Sequence, residues 1–280
     1  MLNMTKRMII SVDVDYFPGS EVGVERILDM LDDKGFPAAF FVTGKFGEEY
    51  PEVVREVERR GHEIGCHGYS HGLDVDENFF GTKYEEQVER IAKSSKILNE
   101  IIHTDVKIFR APYAKANSDT IKALESQGYE IDSSVTSRRF DFGMGVSNSM
   151  GAFFAPTKPY HPSISSIFKK GNSSLLEVPI SAFFAPLNMS AIRKLGLGTV
   201  KRVFNRTRRS FDPIVFYMHP WEVMGVDEIE LWEGVPRRHM RNRGSEALRY
   251  LGLFLDYVGQ NVDFTRFKDI PGGISEEKAK

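Results

Sequence analysis

Two aspartates, separated by one residue, follow a short apolar run near the beginning of the chain. Residues 7–13 suit a buried strand, which Asp13 and Asp15 close. Because residues i and i+2 of a strand point to the same side, we expect both carboxylates to face one pocket. Like charges this close raise the pKa of one carboxyl group unless a cation lies beside them. The pair indicates a functional site, and a solvated turn is the alternative.

A pair of histidines follows a predicted strand at residues 62–67. His67 and His71 lie in the segment CHGYSH, and HxxxH spacing places two imidazoles on one side of a helical turn, where they suit one metal ion. Two histidines and a carboxylate leave coordination positions open for water and substrate, as in catalytic metal sites. A pair of exposed loop histidines is the alternative.

Two further polar residues stand at the ends of apolar strands. Arg110, in FRAPY, can form a bidentate pair with a carboxylate and hold Asp13 ionised, while Pro112 fixes the following turn. His219 ends the strand VFYMH, where a histidine can act as a general acid near neutral pH. The alternatives are an ordinary surface arginine and a buried, hydrogen-bonded histidine.

The elements that carry these residues alternate between strand and helix. This alternation, repeated about five times in the first half of the chain, predicts a parallel α/β sheet or barrel. Strands in such folds deliver catalytic groups at their C-terminal ends, where every candidate named above stands. The predicted strands are 7–13, 38–44, 62–67, 107–112 and 129–134, and the predicted helices are 22–34, 51–61, 83–101 and 118–128.

The second half of the chain is less regular. Residues 137–172, rich in Gly, Ser, Pro and Phe, predict a long inserted loop or hairpin, and such segments are often functional. We expect one catalytic domain over residues 1–271 and a frayed tail over residues 272–280. Further strands are predicted at 174–181, at 213–219 and in FTRFKDI (264–270), and helices at 189–204 and 244–258.

The composition is that of an ordinary globular protein. A chain of 280 residues suits a single α/β barrel, and its net charge of -2 gives no general attraction to nucleic acid. The single cysteine, Cys66, excludes an intrachain disulfide and fits a reducing compartment. The N-terminus does not resemble a signal peptide, and no apolar stretch approaches the roughly 20 residues that span a bilayer. We therefore expect a cytoplasmic protein.

From about residue 7 to residue 270, the motifs resemble those of the polysaccharide deacetylase family, also called NodB-homology or carbohydrate esterase family four. SVDVD, GHEIGCHGYSH and FRAPY look like its first three motifs, and YEIDSS resembles the fourth in part. LLEVP and FYMHPWE look like the strands that wall the acetyl pocket and carry the acid histidine. The resemblance implies a distorted (β/α)7-like barrel. It also implies a metal-dependent hydrolase that removes an N-acetyl or O-acetyl group from an amino sugar in a glycan, oligosaccharide or glycolipid.

The resemblance assigns a role to each matching residue. It implies that Asp15, His67 and His71 bind Zn²⁺ or another divalent ion, such as Co²⁺ or Ni²⁺. It implies that Asp13 is the base that takes a proton from the attacking water, and that Arg110 holds this base in place.

The remaining roles concern the substrate. The resemblance implies that His219 protonates the leaving amine and that a backbone N–H near Tyr113 stabilises the oxyanion. Pro112 and Trp221 are expected to join Tyr113 around the substrate.

Two motifs depart from the most familiar pattern of the family. Val14 separates the two aspartates that are adjacent in TFDDG; this spacing resembles subgroups acting on peptidoglycan, on exopolysaccharide or on lipid-linked formylated aminoarabinose. The fourth motif lacks its usual second aspartate and tryptophan. Asp132 and Glu222 are therefore the candidates for the residue that orients His219.

Other functions stay open. A deformylase of a lipid-linked formamido sugar, or a cyclic-amide (ureide) hydrolase, could use the same fold. A silent glycan-binding module is a third reading, although such proteins usually lack the base or a ligand. Basic clusters at 201–209 and 237–243 are either solvated surface charge or a site for a lipid-linked phosphate at an anionic membrane.

Overall fold

The computed structural model describes residues 5–72, 77–139, 145–228 and 241–270. In this part of the chain the strands are β1 (Lys6–Val14), β2 (Ala38–Val42), β3 (Glu63–Cys66), β4 (Ile108–Phe109), β5 (Ile131–Asp132), β6 (Thr136–Ser137), β7 (Pro162–Ser163), β8 (Ser166–Lys170), β9 (Leu176–Glu177), β10 (Ile180–Phe183), β11 (Ala185–Pro186), β12 (Ile214–Met218) and β13 (Val262–Phe264). The helices are α1 (Ser20–Lys34), α2 (Gly44–Glu49), α3 (Pro51–Arg59), α4 (Tyr84–Ile102), α5 (Ser118–Ser126), α6 (Gly145–Phe154), α7 (Met189–Leu195), α8 (Leu197–Thr207) and α9 (Ser245–Gly259).

Eight strands form one sheet in which every neighbouring pair is parallel. Their order is β12-β1-β2-β3-β4-β5-β9, and β13 pairs with the beginning of β1. The sheet curls into a half-barrel with helices packed on its outside, which confirms the predicted distorted (β/α)7-like barrel. Because the strands are parallel, their C-terminal ends meet at one rim.

Strand β1 is buried on both faces, and its alternation decides which residues reach the interior of the barrel. Its even-numbered residues, such as Ile10 and Val12, pack against the outer helices in one apolar cluster. Ile9 belongs to a second cluster that fills the interior. Asp13 stands at the same parity as Ile9, and Asp15 follows two residues later, so period-two geometry directs both carboxylates inward.

The half-barrel does not close through a continuous backbone ladder. The strand predicted at 174–181 divides into β9, in the main sheet, and β10, which pairs with β6 and β11. Pro179 stands between them, and a proline cannot donate a ladder hydrogen bond. A side-chain bond joins β10 to β12 instead, because Val215 N donates to Ser181 Oγ at 2.9 Å.

Several predicted elements differ from the structure. The helix predicted at 189–204 is broken at Gly196, whose φ of 81° no regular helix accommodates. Segment 137–172 contains helix α6 and an antiparallel β7–β8 hairpin, with residues 140–144 outside the described part. The predicted closing strand in FTRFKDI is wrong: β13 lies earlier, and Phe267–Asp269 forms a 3-10 turn. The tail 272–280 lies outside the described residues.

None of the described helices has the length and apolar character needed to cross a membrane.

Candidate active site

A cavity of about 360 Å³ opens at the rim where the parallel strands end. Loops following β1, β3, β4 and β12 contribute its lining. The predicted site residues that line it are Asp13, Asp15, His67, His71, Tyr113, His219 and Trp221. The strands therefore gather side chains that are up to about 200 positions apart in the sequence, as parallel strands with a common rim require.

Asp13 is held by the guanidinium group of Arg110. Nη1 of Arg110 donates to Asp13 Oδ1 at 2.7 Å and to Ser11 Oγ at 2.8 Å. Nε and Nη2 donate to the carbonyl and hydroxyl oxygens of Ser133, both at 3.0 Å. Arg110 is fully buried, and its guanidinium lies over the ring of Phe41. The arginine thus has no freedom to leave the carboxylate, and Asp13 is fixed toward the cavity.

Asp15, His67 and His71 are buried and converge on a single point. Asp15 Oδ1 lies 3.4 Å from His67 Nε2 and 3.7 Å from His71 Nε2. One ligand atom from each residue falls within 4.8 Å of the others. Ligands of a tetrahedral Zn²⁺, at about 2.0–2.1 Å from the ion, stand about 3.3 Å from one another. The spacing therefore fits a divalent ion.

The hydrogen bonds of the cluster also fit a metal ion. His67 Nδ1 lies 2.8 Å from the Arg110 carbonyl oxygen, so this nitrogen carries the proton and donates, leaving Nε2 free to bind an ion. Asp15 Oδ1 is buried and has no hydrogen-bond partner among the described residues. Burial would raise the pKa of Asp15, but His71 and the other histidines lower it to about 2. Burial lowers the pKa of His71, which keeps it neutral, as a metal ligand must be.

The loop from His67 to His71 is a turn, not the helical turn that its spacing predicted. Gly68 has a φ of 73°, and an added Cβ would stand 2.6 Å from Glu77 Oε2. The same carboxylate oxygen accepts from Tyr69 N and Ser70 N, each at 2.8 Å. Sequence reasoning missed Glu77, whose buried carboxylate holds the loop. Glu77 lies beyond the predicted motif. Only its short distance in sequence from the His67–His71 loop could have indicated that it supports this loop.

His71 is placed beside Asp15 by a backbone contact. Tyr16 N donates to the His71 carbonyl oxygen at 2.9 Å, and Tyr16 forms a parallel bridge with Gly72. The edge of the Tyr113 ring lies against His71, with ring centroids 4.3 Å apart. The residues that follow β1 and β4 thus both fix this ligand.

His219 lines the same cavity as Asp13 and is held by two neighbouring side chains. Its ring stacks on Trp221, at 5.2 Å between centroids, and Nδ1 lies 3.3 Å from Glu222 Oε2. Its Nε2 lies 4.0 Å from Asp15 Oδ2. Burial lowers the pKa of His219, but Glu222 and the two aspartates outweigh it and raise the pKa to about 9. The ring is therefore protonated near neutral pH and can act as an acid.

Glu222 is itself part of a buried network. Its Oε2 also accepts from the backbone N of His219 at 3.1 Å, and its Oε1 accepts from Ser190 Oγ at 2.7 Å and Arg193 Nη1 at 2.8 Å. Burial would raise the pKa of Glu222, but His219 and Arg193 lower it to about 2. Sequence reasoning missed Arg193, because its place on helix α7 becomes meaningful only when α7 packs beside the loop after β12.

The other candidate for orienting His219, Asp132, lies elsewhere. It is the register partner of Glu177 in the β5–β9 pair and accepts from Ser134 Oγ at 2.5 Å. Of the two candidates, only Glu222 contacts His219 among the described residues.

The remaining predicted residues belong to the turn that follows β4. Tyr113 is half exposed, and both it and Ala114 have positive φ, of 60° and 53°. Pro112, which begins this 3-10 turn, is buried and does not line the cavity. The turn therefore supports the pocket, and Tyr113 forms part of its wall.

Known proteins match the chain in sequence and in fold. The family model described as polysaccharide deacetylase matches residues 3–131. A peptidoglycan-N-acetylglucosamine deacetylase of Bacillus cereus is 31% identical over 38% of this chain and 37% of its own length, so the match spans well under half of that relative.

Two solved structures share the fold over nearly the whole chain. A family 4 carbohydrate esterase from Streptomyces lividans, in complex with acetate, aligns with a TM-score of 0.54 and 12% identity, over 96% of this chain and 97% of that one. A family 4 pseudoenzyme from Bacillus anthracis aligns with a TM-score of 0.57 and 12% identity, over 95% of this chain and 65% of that one. The half-barrel is thus shared well beyond the matched residues. Residues 3–131, just under half of the chain, are thus similar to the polysaccharide deacetylase family.

Proposed function

We propose that the protein is a metal-dependent hydrolase that removes an N-acetyl or O-acetyl group from an amino sugar in a glycan, oligosaccharide or glycolipid. The observation that carries this proposal is one cavity containing a carboxylate fixed by an arginine, a three-residue ligand set and a protonated histidine. The relationship to a deacetylase of peptidoglycan N-acetylglucosamine supports the class of substrate.

Each group has a place in amide hydrolysis. Asp15, His67 and His71 would hold a divalent ion, such as Zn²⁺, Co²⁺ or Ni²⁺, which when bound supplies Lewis-acid polarisation of the acyl carbonyl. Asp13 takes a proton from the attacking water, and its bond to Arg110 keeps it aimed at that water.

Proton donation completes the reaction. His219 gives its proton to the leaving amine, and its stacking on Trp221 and contact with Glu222 keep Nε2 directed into the cavity. A backbone N–H at the Tyr113 turn stabilises the developing oxyanion. Both groups lie at the rim, where an acetylated sugar enters from solvent.

The test is release of acetate from N-acetylated chito-oligosaccharides by protein stripped with a chelator and then given Zn²⁺, Co²⁺, Ni²⁺ or nothing. We expect acetate only when metal is restored. His71→Ala should lose both bound metal and activity, because it removes one of three ligands. His103→Asn is the matched control, since His103 is exposed at the end of α4 in a positive-φ conformation that asparagine tolerates. A full metal content in His71→Ala would contradict the ligand set.

The alternatives have separate readouts. Release of formate from a formamido sugar, without acetate from any acetylated probe, would favour the deformylase, and opening of a cyclic ureide would favour the ureide hydrolase. The similarity to a pseudoenzyme keeps the silent glycan-binding module open. The presence of Asp13, the ligand set and His219 favours catalysis over it.

Contact with an anionic membrane stays a prediction that rests on residues 201–209. Arg206 and Arg209 are exposed, whereas Arg208 donates to Asn261. In the second cluster, residues 237–240 lie outside the described part. Arg243 is buried and donates to the Trp221 carbonyl oxygen. Arg243 therefore supports the loop after β12 and is not a surface charge.

A further inference from the structure

Two cationic side chains line the cavity beside the proposed catalytic groups. Lys115 follows the 3-10 turn that begins at Pro112, and Arg139 follows strand β6. They approach from different segments of the chain, and both are partly exposed. Neither has a role in the chemistry proposed above.

Neither cation has a carboxylate partner within the described ranges. The Lys115 ammonium lies 5.6 Å from the centroid of the Tyr113 ring, and no ion pair between described residues includes it. Arg139 lies near Tyr217 on β12: burial raises the pKa of this tyrosine, and the charge of Arg139 opposes that shift. Arg139 and Tyr217 line the same cavity.

The carboxylates of the site are already matched. Asp13 is paired with Arg110, and Asp15 faces the two ligand histidines. Glu222 is paired with Arg193. Lys115 and Arg139 therefore leave positive charge at the mouth, where a charged cleft attracts ligands of opposite sign.

The rest of the mouth is aromatic. Phe17, Tyr113 and Trp221 line it, and Phe17 and Trp221 lie 6.2 Å apart. Such rings provide apolar surfaces on which the carbon face of a sugar can pack. The mouth thus combines a surface for a sugar ring with two cations for an anionic substituent.

We propose that the acetylated sugar bound here carries an anionic group, a carboxylate or a phosphate, which Lys115 and Arg139 bind. This inference rests on the proposed function and narrows its class of substrate. Arg139 offers a planar fork that matches either anion, and Lys115 adds a second donor from a different segment of the chain. A neutral chitin-like chain would leave both cations without a ligand.

Binding is measured by calorimetry with the Asp13→Asn protein, loaded with Zn²⁺, so that no probe is consumed. The probes are chitotetraose, which is neutral; an N-acetylated tetrasaccharide that alternates glucosamine with glucuronic acid; and N-acetylglucosamine 1-phosphate, compared with N-acetylglucosamine. We expect tighter binding of one acidic probe than of its neutral counterpart. The acidic probe that binds more tightly shows whether the bound anion is a carboxylate or a phosphate.

Variants then assign the preference to residues. Arg139→Gln and Lys115→Gln, each in the Asp13→Asn background, should weaken binding of the preferred acidic probe about tenfold, the loss of one charge-assisted hydrogen bond. Both should change binding of the neutral probe by less than about twofold. Lys122→Gln is the matched control, because Lys122 is exposed on α5 and pairs with Asp119. It should change neither.

Equal binding of acidic and neutral probes would overturn the inference, as would equal losses for both probes in the Arg139→Gln protein. Absence of binding by every probe would also overturn it. Acidic selectivity in binding, without acetate release by the wild-type protein from any probe, would sink the proposed deacetylation and leave the anion site standing. Acetate release from chitotetraose at the same kcat/KM as from the acidic tetrasaccharide would support the proposed deacetylation and overturn the anion site.

Discussion

At the scale of the residue, three groups of the site are each oriented by a hydrogen-bond partner. Arg110 fixes Asp13, the Arg110 carbonyl oxygen fixes His67, and Glu222 fixes His219. The residue types and positions predicted the first of these contacts, because a carboxylate and an arginine at strand ends that share one rim can form a bidentate pair. They could not choose between Asp132 and Glu222, because that choice depends on where the loop after β12 folds.

The contact of Glu222 with His219 predicts a shift in the pH profile. Glu222→Gln removes the charge that helps to raise the pKa of His219. Because the acid must be protonated, the alkaline limb of kcat should move to lower pH, and kcat should fall about tenfold or more while KM changes little. Ser190→Ala is the control, since Ser190 bonds only the other oxygen of Glu222. An alkaline limb at the same pH in both variants would remove Glu222 from this role.

At the scale of the element, strands and helices with regular apolar periodicity were predicted well, and segments with irregular backbone were predicted poorly. Strands β1, β2, β3 and β12 are confirmed because continuous apolar runs mark strands buried on both faces. The predicted helix 189–204 failed because apolar spacing continues across Gly196, where the backbone breaks. The hairpin and helix within 137–172 carry little periodicity, because they pack against the rest of the chain instead of forming a core of their own.

Helix α1 supports the loop that carries His219, and one glycine permits that contact. A Cβ added at Gly23 would stand 2.4 Å from the Pro220 carbonyl oxygen, a backbone atom that must move. We expect Gly23→Ala to lower the free energy of unfolding by about 1–3 kcal/mol and to lower kcat, because Pro220 follows His219.

Gly252→Ala on α9 is the matched control for this contact. Its nearest neighbours are the flexible ends of Lys34 and Met30, both at 3.9 Å. Alanine should raise the free energy of unfolding by up to about 1 kcal/mol and leave kcat unchanged. Urea titrations and initial rates on the same samples measure both quantities. Equal behaviour of the two alanine variants would show that the α1 contact does not position the loop.

At the scale of the whole molecule, the shared rim gathers reactive groups, and the same register places two carboxyl groups together in the core. Asp132 and Glu177 are opposite each other in the β5–β9 pair, and both are fully buried. Burial, together with the charge of Asp132, raises the pKa of Glu177 well above its usual range. Glu177 therefore keeps its proton in the folded state and releases it on unfolding at neutral pH.

This difference makes the stability of the protein depend on pH. The folded state binds one more proton than the unfolded state once pH exceeds the ordinary pKa of glutamate, so stability is present below that pKa and is lost as pH rises toward the raised value. Glu177→Gln keeps a donor toward Asp132 and removes the titration. Between about pH 6.5 and about pH 8.5, the wild-type free energy of unfolding should fall relative to the variant by up to about 1.4 kcal/mol per pH unit.

Urea unfolding of both proteins across this range measures the slope, with Glu100→Gln as the control because Glu100 is exposed on α4. The control should track the wild-type curve, since an exposed carboxyl group titrates alike in both states. If Glu177→Gln tracks it as well, Glu177 is already ionised in the folded protein. The buried pair would then need a compensating cation, because two adjacent carboxylates in the core repel each other and lack solvent. A relative slope of the predicted sign would instead show that Glu177 keeps its proton beside Asp132, between strands β5 and β9.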